Sequence, residues 1–67
     1  MITNTCHTIR VWFCPEFKSW AVTWMDADGN QLDESEWYFT KAEAVDMAQA
    51  YRDSDRCEFL NIAKKAA

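Results

Sequence analysis

The chain has 67 residues, 49% of them hydrophobic and 15% aromatic, and a formal net charge of −4. That length makes one domain at the small end of what folds alone, and the composition excludes a disordered chain. Eleven acidic residues against seven basic ones disfavour direct nucleic-acid binding, and no run approaches membrane-spanning length.

Residues 1–5 are polar and expected to fray, as are residues 64–67 at the other end. The stretch from Met1 to Arg10 lacks a continuous apolar core, so no secretory signal is expected. Cys6, Cys14 and Cys57 are odd in number, which with the missing signal points to reduced thiols in the cytoplasm.

From His7 to Cys14 apolar residues alternate, with Ile9, Val11 and Phe13 on one face and Arg10, Trp12 and Cys14 on the other, predicting a strand. Pro15-Glu16-Phe17-Lys18 interrupts it. A second strand is expected from Ser19 to Asp26, with Trp20, Val22 and Trp24 opposite Ala21, Thr23 and Met25. Asp26-Ala27-Asp28-Gly29-Asn30 reads as a turn, where glycine supplies positive φ. A short third strand, Glu36 to Phe39, should close a hairpin on the second.

Thr40 followed by Glu43 is a capping box, in which the hydroxyl accepts from the Glu43 amide and the carboxylate reaches back to the Thr40 amide. A helix is expected from Lys41 to Asp53, with Ala44, Met47, Ala48 and Tyr51 on its apolar side. Residues Cys57 to Ala63 alternate again and read as a last edge strand or an extended tail, the strand being favoured. The expected fold is α+β: an antiparallel sheet of three to four strands with one helix on one face, β-β-β-α with an optional final β, in a single domain 1–67.

No stretch carries a catalytic motif, so no enzyme and no cofactor are expected. The Asp26–Asn30 segment has its glycine at position four rather than six and Trp37 at position twelve, which is wrong for a calcium loop. Cys6, His7, Cys14 and Cys57 lack close metal-ligand spacing, so buried inert cysteines, a surface histidine and no metal are expected. The acids are the clearer signal. Asp26, Asp28, Asp33, Glu34 and Glu36 crowd the hairpin, and Glu43, Asp46 and Asp53 line the outer side of the helix. Lys41 is the sole base between Lys18 and Arg52. Such a face is either simply solvated or imitates phosphates toward a basic groove on a protein partner. A helix covers one side of a sheet, so Trp12 is expected to look outward and to serve as an aromatic anchor, unless a tail or a dimer partner covers it.

Trp20-Ala21-Val22, Asp26-Ala27-Asp28-Gly29 and Thr40-Lys41-Ala42-Glu43-Ala44 resemble the arm-type DNA-binding module of phage integrases over about half of the chain. That likeness implies a nucleic-acid-binding module using Arg10, Lys18 and the tail lysines. Those modules carry basic residues on sheet and turn, whereas this chain has Asp33, Glu34 and Glu36 there. In size, charge and architecture the chain also resembles the small acidic proteins of phages and mobile elements that inhibit CRISPR-Cas complexes. This second resemblance implies an inhibitor in the bacterial host cytoplasm that mimics DNA at a basic surface of a Cas complex, of type I, without binding nucleic acid or membrane itself. Monomer and dimer are both compatible with it.

Overall fold

The computed structural model describes residues 6–55 and 57–64. The elements run β1 (Thr8–Cys14), β2 (Ser19–Met25), β3 (Glu36–Tyr38), α1 (Lys41–Asp55) and β4 (Phe59–Ile62). The fold is α+β, and β4 is a true strand. Expected fraying at 1–5 and 65–67 lies outside the described residues, while Lys64 is exposed beyond β4.

The sheet order is β3-β2-β1-β4. β1 and β2 form a hairpin with Ile9 opposite Trp24, Val11 opposite Val22 and Phe13 opposite Trp20. Its turn spans residues 15–18 and ends at Lys18, whose φ of 51° is left-handed. β3 adds antiparallel to β2. β4, however, lies parallel to β1, so the sheet is mixed where a purely antiparallel one was expected. The helix is the reason. It carries the chain back along the sheet after β3, so the next strand runs in the direction of β3, which is also that of β1.

Because opposed residues share a face, Ile9, Val11, Trp20 and Val22 form one surface, and α1 lies on it through Ala44 and Ala48. Ile9, Val11, Val22, Ala44 and Ala48 are fully buried. Two alanines at i and i+4 allow the helix axis close to the sheet, and Val45, Tyr51, Trp24 and Leu60 fill the flanks. Met47, expected on the apolar side, is 37% exposed, because the alanine pair centres the contact and turns it to the margin.

The helix opens at its predicted cap. The Thr40 hydroxyl accepts from the Glu43 amide at 3.2 Å. It donates in turn to the Glu43 carboxylate at 3.2 Å, so the carboxylate meets the hydroxyl instead of the Thr40 amide. At the far end α1 continues to Asp55, whose carboxylate accepts from the Trp24 indole at 3.0 Å. That contact ties the last turn to the sheet and explains the two residues beyond the expected end.

Cys6 and Cys57 are joined in a disulfide. This corrects the expectation of separate reduced thiols: the parallel pairing of β1 with β4 brings the residues leading into the two strands side by side. Cys14 is buried and free.

Candidate functional site

The acidic residues divide by what their carboxylates do. Asp26 is spent on its own turn: Oδ1 accepts from the amides of Asp28 and Asn30, both at 2.9 Å. The Asn30 amide, above all, holds its carboxyl below the usual value. Gly29 sits in that turn at φ 89°, as its sequence position required. Asp33 accepts from the Glu34 amide at 2.7 Å.

Glu36 shares the helix side of the sheet with Val22 and accepts from the Tyr38 and Tyr51 hydroxyls at 3.0 and 3.2 Å. It therefore bridges sheet and helix. Burial first, then Tyr51 and Glu36, push the Tyr38 phenol well above its ordinary value. Glu43 belongs to the cap.

Asp28, Glu34 and Asp46 are exposed, and among the described residues their carboxylates make no hydrogen bond or ion pair. Asp53 makes a loose ion pair with Arg52 at 3.7 Å. On α1 the acids form a stripe. At 1.5 Å rise per residue, Asp46 stands about 4.5 Å beyond Glu43, and Asp53 about 10.5 Å further. At 100° per residue, all three fall within a sector of about 80°.

The other side of the sheet has a different character. Register places Arg10, Trp12, Ala21, Thr23, Trp37, Phe59 and Asn61 away from the helix, and no strand position facing that way is acidic. Trp12 does look outward, but it is tucked in. Its indole donates to the Thr23 hydroxyl at 2.9 Å, and its ring meets Trp37 edge-on at 5.8 Å. Phe17 packs on Trp37 at 5.1 Å. The surface of this cluster belongs to Trp37, 43% exposed, and Phe17, 65% exposed. Sequence reasoning missed both as site residues. The available signal was Ala21, whose small side chain opposite Trp37 leaves the indole room.

The residues weighed for zinc are not brought together. The disulfide occupies Cys6 and Cys57, Cys14 lies at the opposite end of β1, and His7 packs against Phe59 at 5.0 Å. Where the end of α1 meets the β2–β3 connection, an open groove of about 580 Å³ is lined by Trp24, Tyr51, Leu32, Asp33, Glu36 and Asp55. No helix among the described residues is long and apolar enough to cross a membrane. No protein family, characterised protein or solved structure matches this chain.

Proposed function

We propose that this chain is a binding protein and not an enzyme, and that it inhibits a partner by covering a basic, nucleic-acid-binding surface with acids that stand in for phosphates. The observation that carries this reading is the segregation of charge. Of the acids without a structural task, Asp28, Glu34 and Asp46 lie with Asp53 on the β2–β3 connection and the outer side of α1, while Glu16 and Glu58 stand apart in the β1–β2 turn and ahead of β4. The sheet positions facing away from the helix hold none. Acids that leave the fold intact when replaced are free to be selected for a partner. Duplex DNA presents a phosphate charge every 3.4 Å along each strand, so the helix stripe is a sparser imitation and needs the connection beside it.

The partner we name is a type I CRISPR-Cas complex in the cytoplasm of a bacterial host, supported by the chain's size, its net charge and its single-helix, single-sheet build. A cytoplasmic setting disfavours disulfides. Cys6 and Cys57 are each less than a tenth exposed, and exchange requires an attacking thiolate to reach sulfur, so reduction is slowed.

A second reading, the integrase-arm-like nucleic-acid-binding module, draws on the helix-free face. Arg10 is exposed there, on the side that carries Trp12, Trp37 and Phe59, and aromatic platforms beside a cation suit stacked bases. Salt-dependent binding of the chain to plain duplex or single-stranded DNA favours the second reading, and its absence with both favours the first.

The test of the first is a variant with Asp28, Glu34, Asp46 and Asp53 all reversed to lysine. It should lose binding to a purified type I complex while keeping its melting temperature within a few degrees, because exposed charges contribute little to stability. Unchanged binding by this variant across a salt series rejects the acidic face.

A further inference from the structure

The groove at the end of α1 has a chemistry that the outer acids lack. Its aromatic wall is Trp24 from β2 and Tyr51 from α1, with ring centroids 5.0 Å apart and planes inclined by 56°. The polar end of each ring is already engaged. The Trp24 indole N–H donates to Asp55 at 3.0 Å, and the Tyr51 hydroxyl donates to Glu36 at 3.2 Å. These bonds fix the rings through Asp55 Oδ2 and Glu36 Oε1, while Asp55 Oδ1 accepts from the Ser54 hydroxyl at 3.4 Å. Asp33 stands on the rim, Leu32, Cys6 and Ser54 complete the wall, and no described lining residue is basic.

We propose that this groove receives one arginine side chain of the protein partner. A planar guanidinium stacks on aromatic faces and donates in a fork that fits carboxylates. Aromatic surface combined with carboxylates already oriented by hydrogen bonds offers both. An anionic group is repelled by Asp33, Glu36 and Asp55, and a neutral group brings no charge to pair with these three carboxylates beside the Ser54 hydroxyl. The arginine is assigned to the partner on the reading of a basic partner surface given above. The recognition itself is tested without any partner, so the two can fail separately.

The probe is N-acetyl-arginine amide, titrated into the disulfide-bonded chain while the indole N–H resonances are followed by NMR. The Trp24 signal is identified by its loss in Trp24→Phe. The Trp24 resonance should move and saturate, with a dissociation constant of about 1 to 30 mM, the weakness fitting one partly exposed cation–π contact and two screened ion pairs. The neutral isostere, N-acetyl-citrulline amide, should leave it in place, and N-acetyl-lysine amide should bind more weakly than the arginine compound.

Asp33→Asn, Glu36→Gln and Asp55→Asn each keep a hydrogen-bond acceptor and remove a charge. Each should weaken binding by roughly two- to fivefold. The proposal is overturned by a Trp24 resonance that stays fixed, by equal response to citrulline, by movement confined to the other indoles, or by unchanged affinity in all three carboxamide variants. Failure here leaves the acidic stripe of α1 untouched, and failure of the lysine-reversed variant leaves the groove untouched.

Discussion

Removing the Cys6–Cys57 bond is the perturbation whose size the structure predicts best. The two cysteines are 51 residues apart in a chain of 67, so the bond closes nearly the whole chain into a loop. In the loop-entropy account, the closure removes about 14 cal/mol/K from the unfolded chain, or about 4 kcal/mol at 25 °C. A domain of this size has a total stability of roughly 3 to 10 kcal/mol, so the bond decides how much of the chain is folded on warming. With about 4 to 8 °C lost per kcal/mol, Cys6→Ala/Cys57→Ala should melt about 15 to 30 °C below the oxidised parent. Circular dichroism melts at neutral pH measure this, with Cys14→Ala alone as the control for a buried cysteine outside the bond. In hydrogen exchange the first protection lost should be at Leu60 to Ile62, because β4 is a four-residue edge strand adjoining the bond. Melting temperatures of parent and double variant within about 3 °C would refute the reasoning.

Three further outcomes are expected. Thr40→Ala removes the acceptor of the Glu43 amide and should cost about 1 kcal/mol in urea melts, whereas Thr40→Ser should cost less. Ala48→Leu forces a larger side chain into the fully buried contact of α1 with the sheet and should cost about 1 to 3 kcal/mol, while Ala50→Leu on the exposed side should be near neutral. The Tyr38 phenol is raised in the folded state, so its contribution is complete below the unfolded tyrosine value of about 10 and is lost as pH rises through the folded value. Melting temperature should therefore fall above about pH 10, and Tyr38→Phe should show a smaller alkaline loss relative to its own value at neutral pH.

Local pattern carried most of the architecture. Alternation of Ile9, Val11 and Phe13 against Arg10 and Trp12 set the faces of β1, and Thr40 with Glu43 set the start of α1, because both are short-range signals. The direction of β4 was not local. It follows from counting passes across the sheet, and its consequence, the meeting of Cys6 with Cys57, is invisible in spacing alone. Among the candidate site residues, the sequence could not separate acids with a structural task from those without one. Asp26, Asp33, Glu36 and Glu43 look like the others in composition, and only their hydrogen bonds show that they hold a turn, a loop, two tyrosines and a cap. The same holds for the aromatics. Trp12 is drawn inward by Thr23, and Trp37 takes the surface.

The central claim is that the acids without structural duty occupy a basic nucleic-acid-binding surface, and competition with DNA tests it most directly. A purified type I complex would be loaded with labelled target duplex, and the chain titrated in at low and at physiological salt. The account predicts stoichiometric displacement that weakens as salt rises, and none by the chain carrying lysine at 28, 34, 46 and 53, even though that variant melts near the parent. Displacement that is insensitive to salt and equally strong with the lysine variant would contradict it.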